Sequence, residues 1–365
     1  MNSEVRIQSI LNGRAADRVG FWLGYPHKDT RDKYCHELGI ELPEKADLKE
    51  MSLRDKIAYQ EHWHRVEVDL AVELGSELFW CTPDNDRYAW QHPQGKPMID
   101  AHPPGTRAGL TPPGVFAETT SVQEILDFEW PDARYLDFSN TIKQIDYARS
   151  KGLAIIGGMW MPFFHYLTDY FGMENYFIKM YTDPDVIHAA TDKILDFCIA
   201  MSTRFLDCAG DTIDAGFFGN DFGSQIDLLI SPENFDEFVL PGFKRIIDHL
   251  KSYGLPVVLH SCGAIDKVIP RLIDAGMDAL HPLQAKARNM DAEHLASEYK
   301  GKVAFIGGID TQEILPFGTA RQVADETRRV LDLLGPRLIV SPSHEALLPN
   351  VPLENVLAMR DAVRG

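Results

Sequence analysis

The sequence predicts an α/β protein in which one parallel sheet is covered by helices, of a size that suits a single large β/α barrel. Short apolar segments alternate with longer amphipathic segments, which is the pattern of strands joined by crossover helices. The length of 365 residues is large for one ordinary core but fits a barrel, which often runs to about 250 residues or more with insertions. Because no linker or repeat divides the chain, we expect one domain over residues 1–365.

The predicted strands are short apolar runs that end in glycine, proline or polar residues. They are Leu78–Cys81, Leu153–Gly157, Thr212–Phe218, Pro256–His260, Ala279–Pro282, Val303–Ile306 and Leu338–Val340. Such runs are typical of buried parallel strands. The first 130 residues or so are less regular, especially from Thr82 to Gly114. We expect residues 1–130 to include a helical and loop extension that caps one end of the barrel.

Two of the intervening helices carry clear boundary signals. Ser231-Pro232-Glu233 gives an N-cap, a first-turn proline and an early acid, the order that a helix start favours. Pro241 should break or kink the helix that follows. A second helix is predicted over Ala320–Leu334, with apolar residues at helical spacing and a stop at Gly335.

Charge and cysteine content exclude several classes of function. The formal charge is −18 and the pI is near 5.1, which argues against nucleic-acid or anionic-membrane partners because phosphate-rich surfaces need a basic patch. Met1 to Arg6 lacks the features of a signal peptide, and no apolar run is long enough to span a bilayer. Five scattered cysteines indicate free thiols in a reducing cytoplasm.

The segment His260-Ser261-Cys262, followed by Gly263, is the most informative feature of the sequence. An imidazole and a thiol two residues apart at the end of a strand can reach one soft metal ion, for which zinc is the first choice. A second strand ends before His344, which completes a His260, Cys262, His344 triad if the two strands lie in one sheet. The alternative is a partly buried histidine beside a structural cysteine.

Other polar residues follow predicted strands, and in a β/α barrel catalytic residues sit at the carboxyl ends of strands. They are Asp221, His281, Gln284, Asp310 and Glu345. For Asp221 and Asp310 a helix cap or a loop salt bridge remains an alternative, and His281 is open to interpretation as a packed histidine.

Several segments together resemble the uroporphyrinogen decarboxylase superfamily. They read Asn220-Asp221-Phe222-Gly223-Ser224-Gln225, Ile230-Ser231-Pro232-Glu233-Asn234-Phe235 with Pro241, Leu259-His260-Ser261-Cys262-Gly263, Gly307-Gly308-Ile309-Asp310 and Pro352-Leu353-Glu354-Asn355-Val356-Leu357-Ala358-Met359. The resemblance extends from about Asp17 to the C-terminus. It implies a (β/α)8 TIM barrel with the active cleft at the strand C-termini, and commonly a homodimer.

The resemblance divides between two chemistries, and the motifs favour one of them. The decarboxylases of the superfamily use an N-terminal arginine-rich motif, which the run from Val19 to Pro26 lacks. The cobamide-linked methyltransferases carry a zinc triad of His-x-Cys plus a later cysteine in Ser-Pro-Gly-Cys. His260 and Cys262 match the first two ligands, and Ser341-Pro342-Ser343-His344 replaces the last cysteine with histidine.

The resemblance therefore implies a zinc-dependent methyltransferase that moves methyl between a small O-, N- or S-methyl compound and a separate corrinoid protein. With one thiolate and two imidazoles, zinc would keep a formal charge of about +1 and act as a stronger Lewis acid. Asp221 and Gln225 are expected to orient the substrate. Tyr166 and His165 would line the pocket, His281 and Gln284 would contact substrate, and Asp310 or Glu345 would fill the open coordination position.

Two further hypotheses stay open, and one motif is set aside. The protein could be a metal-free decarboxylase or lyase on a carboxylated substrate, or a non-catalytic protein that binds a corrinoid or tetrapyrrole. Asp100-Ala101-His102-Pro103-Pro104-Gly105 fits the Asp-x-His-x-x-Gly pattern of cobalamin-binding domains. It lacks the βαβ context of that fold, so we expect any corrinoid to be supplied by a partner protein.

Overall fold

The structure, a computed structural model, describes residues 1–103 and 112–365 and contains eight parallel strands in one sheet. In the described residues the strands are β1 Gly20–Phe21, β2 Leu78–Cys81, β3 Ala154–Gly157, β4 Ala215–Gly219, β5 Val257–His260, β6 Ala279–His281, β7 Ala304–Ile309 and β8 Leu338–Pro342. Their order is β1-β8-β7-β6-β5-β4-β3-β2. This is the arrangement of a (β/α)8 barrel.

Helices connect the strands and cover the outside of the sheet. The first group is α1 Ser3–Leu11, α2 Lys28–Leu38, α3 Leu53–Glu73, α4 Val122–Asp127, α5 Ser139–Ser150, α6 Phe163–Phe171, α7 Met173–Thr182 and α8 Pro184–Ala209. The second group is α9 Pro232–Asn234, α10 Leu240–Ser252, α11 Ile269–Ala275, α12 Ala292–Tyr299, α13 Ile314–Phe317, α14 Ala320–Leu334 and α15 Leu353–Arg364. No helix within the described ranges is long and apolar enough to cross a membrane.

The barrel closes between β1 and β2 largely through the backbone and side chain of one residue, Glu77. The Glu77 N–H donates to the Phe21 carbonyl oxygen at 2.9 Å, and the Phe21 N–H donates to Glu77 Oε2 at 3.0 Å. Arg18 binds both carboxylate oxygens at 2.8 and 2.9 Å, and Arg6 also binds this carboxylate. The buried Glu77 thus supplies contacts that a regular ladder supplies elsewhere in the sheet.

The barrel interior is filled by apolar side chains from the strands and is closed at one end by α1. Ile7, Ile10 and Leu11 of α1 are fully buried in the same cluster as the inward-facing strand residues, among them Phe217 and Ile306. A larger apolar layer lies between the sheet and the outer helices. The helix therefore plugs the end of the barrel opposite the strand C-termini, which leaves the other end for the site.

The seven predicted strands are confirmed, with boundaries that shift by up to three residues. Shifts of three residues occur at the end of β7 and at the start of β4, where Gly210–Thr212 forms a 3-10 turn before the strand begins. The expected N-terminal cap is only part of the role of that portion, since it also contributes β1 and β2 to the barrel. The sequence did not predict β1, a strand of two residues that pairs only with β8 among the described strands.

The predicted helix boundaries also hold. Ser231 caps α9, and a π-helical turn over Phe235–Val239 separates it from α10, with Pro241 in the first turn of α10. Thr319 and Gln322 form a capping box at the start of α14. Of the motif set aside above, Pro104 and Gly105 lie outside the described residues.

Candidate metal centre

The carboxyl ends of β4, β5 and β6 bring four of the predicted site residues together. Gly219 is in register with His260, and His260 is in register with His281. Asp221 follows β4 by two residues, and Cys262 follows β5 by two residues. Because these strands are parallel neighbours, their ends deliver the four side chains to one edge of the barrel mouth.

The Nε2 atom of His260 lies within a set of possible metal ligands. It is 3.5 Å from Cys262 Sγ and 3.2 Å from Asp221 Oδ1. The Cys262 N–H donates to Asp221 Oδ1 at 2.8 Å, which fixes the carboxylate beside the thiol. The three ligand atoms all lie within 4.8 Å of one another. An imidazole nitrogen, a sulfur and a carboxylate oxygen are the donor types that zinc takes in proteins.

The other ring nitrogen of His260 faces His281 rather than the ligand set. The two Nδ1 atoms are 2.9 Å apart, and His281 is fully buried. Burial and the neighbouring His260 lower the pKa of His281 well below its usual range, so it is neutral. If His260 Nδ1 carries the proton, it donates to His281 and leaves His260 Nε2 free as a ligand, the arrangement expected around a metal-binding histidine.

The carboxylates of Asp221 and Glu345 and the thiol of Cys262 provide more metal-binding acceptors than the nearby protein donors satisfy. Burial opposes ionisation of Asp221, but its hydrogen bond and charge interaction with His260 hold its pKa well below the usual range. Burial, followed by the charges of Asp221 and Glu345, raises the pKa of the Cys262 thiol far above its usual range. Glu345 Oε2 is buried without a hydrogen-bond partner in the described part of the chain. These groups fit a cation such as zinc, which would stabilise the thiolate.

His344, the predicted third ligand, is not in either of the possible ligand groups found in the described residues. Its Nδ1 accepts a hydrogen bond from the Ala346 N–H at 3.1 Å, within the turn that follows β8. Its Nδ1 lies 3.6 Å from Glu345 Oε2, and its side chain is 41% exposed. Asp221 takes the third place beside His260 and Cys262, and Glu345 forms a second group with His260 and His281.

Some of the remaining predicted residues lie near Asp221 and Cys262, and others do not. His165 Nε2 lies 3.2 Å from the Asp221 carbonyl oxygen, and Gln284 Oε1 accepts the Gly263 N–H at 2.6 Å. Tyr166 is half-buried in α6, and burial followed by the nearby Asp84 raises its pKa. The exposed side chain of Gln225 makes no hydrogen bond within the described ranges.

Asp310 is engaged in a structural role that the sequence left open. Its carboxylate accepts the N–H groups of Gln312, Glu313 and Ile314 at 3.1, 2.8 and 3.2 Å. This is a cap on the turn after β7, and it occupies both oxygens.

An aromatic wall lies beside the candidate ligands. The ring centroids of Trp160 and His260 are 5.0 Å apart, Trp160 and Trp80 are 5.5 Å apart, and both tryptophans contact Phe217. Asp84 lies at the foot of this wall, where its Oδ2 accepts the Trp160 N–H at 2.8 Å. The position of Trp80 on β2 was the available signal, because alternate residues of a barrel strand point inward.

Comparison with known families identifies a relationship over most of the chain. The family model described as uroporphyrinogen decarboxylase (URO-D) matches residues 108–365. A solved methyltransferase from Methanosarcina mazei superposes with a TM-score of 0.72 at 16% identity, over 100% of this chain and 98% of that one. At that identity the superposition supports the barrel fold alone.

Characterised relatives fall into both branches. The methylated-thiol–coenzyme M methyltransferase of Methanosarcina mazei is 26% identical over 308 residues, which are 80% of this chain and 70% of that protein. The methylcobamide:CoM methyltransferase MtbA of Methanosarcina acetivorans is 27% identical over 53% of each chain. The uroporphyrinogen decarboxylase of Citrifermentans bemidjiense is 28% identical over 50% of each chain.

Proposed function

The chain belongs to the uroporphyrinogen decarboxylase (URO-D) family, and we propose that it is a zinc-dependent methyltransferase. It would move a methyl group between a small O-, N- or S-methyl compound and a corrinoid carried by a separate protein. The two relatives named for coenzyme M methyl transfer support this reading. The family alone does not decide it, because decarboxylases also match.

The observation that carries the proposal is the set His260 Nε2, Cys262 Sγ and Asp221 Oδ1, three ligand atoms within 4.8 Å. A decarboxylase that works without metal has no need to place a thiol against an imidazole and a carboxylate at the end of a barrel strand. Asp221 as third ligand gives one thiolate, one carboxylate and one imidazole, which together balance the charge of zinc. His344, the third ligand predicted from the sequence, stays a prediction, and it would have to leave the Ala346 N–H to bind.

Bound there, zinc would supply Lewis acidity, polarising the heteroatom that carries or receives the methyl group. The residues of the chain would do the rest of the work. His281 holds the ring of His260 in one orientation, and the Cys262 N–H fixes Asp221. Trp160 and Trp80 exclude water from one side of the centre and restrict how a substrate enters. Such alignment of reacting groups is a large part of catalysis of a group transfer.

The roles of the other predicted residues follow from their positions. Tyr166 and His165, which lie beside Asp84 and Asp221, are proposed to line the substrate pocket. Gln284 supports the Gly263 turn and so acts on Cys262 indirectly. We further propose a homodimer in the cytoplasm, with a corrinoid protein as the transient partner.

A metal-free decarboxylase is the second candidate, favoured by the 28% identity to the decarboxylase of Citrifermentans bemidjiense. It would need cationic groups near the mouth to hold substrate carboxylates. The non-catalytic alternative, a corrinoid or tetrapyrrole carrier, would copurify with a chromophore and turn over no methylated compound.

Elemental mass spectrometry of the purified chain tests the proposal, beside the variants Cys262→Ala, Asp221→Ala and His344→Ala. We expect about one zinc per chain, lost in the Cys262 variant and reduced in the Asp221 variant. Added cobalamin in its reduced form then reports methyl transfer from methanol, methylamines, methyl thiols and methoxylated aromatics by its absorbance. A chain that holds no metal after purification without chelators would favour the decarboxylase.

A further inference from the structure

A second cavity lies beside the barrel mouth, apart from the candidate metal centre. Its volume is about 300 Å³, and its walls come from the segment after β1, from α2 and α3, and from the segment after β2. Tyr25 belongs to this cavity and its ring centroid lies 5.6 Å from that of Trp80 in the aromatic wall. The cavity therefore adjoins the mouth through one pair of aromatic rings.

The charge of this cavity is opposite to that of the molecule. Four cationic side chains line it, namely Lys28, Arg31, Lys56 and Arg87, against one carboxylate, Glu67. They leave a formal charge of +3 in a chain whose net charge is −18. Arg31 is bound to Glu67 at 3.0 Å and lies over the Trp63 ring, so its charge is already compensated.

The other three cations are not compensated. Within residues 1–103 and 112–365, Lys28, Lys56 and Arg87 have no hydrogen bond or ion pair to a side chain and no ring contact. Lys28 and Arg87 are exposed and Lys56 is half-buried, so water solvates these charges when no ligand is bound. An anion in the cavity would gain up to three cationic partners that no other group of the described residues occupies.

Polar and aromatic groups in the same walls add hydrogen-bond donors and flat apolar surface. The hydroxyls of Tyr25, Tyr59 and Tyr88 have no partner in the described part of the chain. Tyr59 and Trp63 form an edge-on pair with centroids 6.3 Å apart. Phenol hydroxyls and cations together suit an oxyanion, while the rings suit a planar carbon skeleton.

His64, in the wall of the same cavity, has a buried N–H that could donate to a bound anion. Gln60 Nε2 lies 3.1 Å from His64 Nε2 and 3.2 Å from Asp86 Oδ1, so it donates, and the His64 proton is placed on Nδ1. That Nδ1 is buried and has no partner among the described residues. His64 borders a neighbouring cavity as well, next to Glu61 and Lys143, so this N–H is not assigned to the ligand of the first cavity.

We propose that this cavity is a binding site for a small organic anion, an aromatic or other planar molecule that carries a sulfonate, phosphate or carboxylate group. Lys28, Lys56 and Arg87 would hold the anionic group, and Tyr59, Trp63 and Tyr88 would pack on the carbon skeleton. The site is separate from the proposed metal centre and does not depend on methyl transfer.

Calorimetric titration of the full chain with benzenesulfonate tests the proposal, with methanesulfonate as the probe that lacks the ring. We expect saturable binding of benzenesulfonate that is tighter than that of methanesulfonate. Lys56→Ala and Arg87→Ala should each weaken it on the order of tenfold, because each removes one charge-assisted contact. Lys56→Arg should retain binding, and Tyr88→Phe should weaken it less than the charge variants.

Lys302→Ala is the matched control, since Lys302 is exposed and precedes β7 at the opposite end of the barrel. It changes the net charge by the same amount and should leave the affinity unchanged. Circular dichroism confirms that each variant is folded before titration. The proposal is overturned if no saturable binding occurs, if Lys56→Ala and Lys302→Ala behave alike, or if the ring adds no affinity. None of these readouts involves zinc or a corrinoid, so their failure leaves the proposed function standing.

Discussion

The two ring nitrogens of His260 have different neighbours, and this difference organises the candidate centre. Nε2 lies beside Cys262 and Asp221, whereas Nδ1 lies 2.9 Å from His281. The sequence placed His281 at a strand end and assigned it to substrate. The structure places it behind His260 as a neutral, fully buried partner. From there it would orient His260 if that histidine binds a metal, and contact with substrate stays a prediction.

Replacing His281 should therefore weaken metal binding without removing a ligand. We expect His281→Phe to lower zinc affinity about 10- to 100-fold, because the hydrogen bond that orients His260 is lost. Competition with a chromophoric chelator measures the affinity. His249→Phe, which changes a half-buried histidine on α10, should leave the affinity unaltered. Equal affinities in the two variants would show that His281 is only a packing residue.

The Cys262 thiol offers a second test at the same scale. Burial and the carboxylates of Asp221 and Glu345 raise its pKa, so in chelator-treated protein it should stay protonated where ordinary cysteines ionise, near pH 8.5. Asp221→Asn removes one of those charges, lowers the pKa and should speed alkylation of Cys262 by iodoacetamide at pH 8. Peptide mass spectrometry follows the rate, with the exposed Cys208 as internal reference. A rate that Asp221→Asn leaves unchanged would contradict the assignment.

At the scale of elements, the sequence was enough to predict a helix or strand that carries a clear capping signal or a continuous apolar run. The capping signals at Ser231 and Thr319 and the apolar runs of β2 to β8 led to correct elements. The two-residue β1 could not be found in this way, because contacts with Ile339, Val340 and Glu77 define it. The candidate centre shows the same difference. The positions of His260, Cys262 and Asp221 could be predicted because they follow strands directly. The position of the His344 ring could not, because it depends on the hydrogen bond to the Ala346 N–H in the turn after β8.

The cap formed by Asp310 is a property of the β7–α13 connection. Asp310→Ala leaves three backbone N–H groups without their acceptor, and we expect the free energy of unfolding to fall by about 1–3 kcal/mol. Urea denaturation followed by circular dichroism measures the change. Asp310→Asn keeps one acceptor oxygen and should cost less. Zinc content should remain at the level of the parent chain in both variants, and its loss would instead support a ligand role.

At the scale of the whole molecule, barrel closure depends on an ionic cluster. Glu77 binds Arg6 and Arg18 and accepts the Phe21 N–H. Glu77→Gln leaves two guanidinium groups without their shared counter-charge, and we expect the free energy of unfolding to fall by about 3–5 kcal/mol. Asp17→Asn also removes a partner of Arg6, but at a carboxylate whose side chain is 40% exposed, so solvent screens the interaction and the loss of stability should be smaller. Equal decreases in the free energy of unfolding would mean that the burial of Glu77 does not make its ion pairs more important than those of the exposed Asp17.

The barrel should open more easily at its last joint than elsewhere. Seven neighbouring strand pairs are joined by parallel ladders, whereas β1 and β2 meet through the backbone and carboxylate of Glu77 and a hydrogen bond from the Leu23 N–H to Ser76 Oγ. Transient opening should start at this joint, so the Phe21 amide should exchange with deuterium sooner than the Leu259 or Phe305 amides in the interior of β5 and β7. Local opening would then be confined to the joint between β1 and β2, while β5, which positions His260 and Cys262, stays closed.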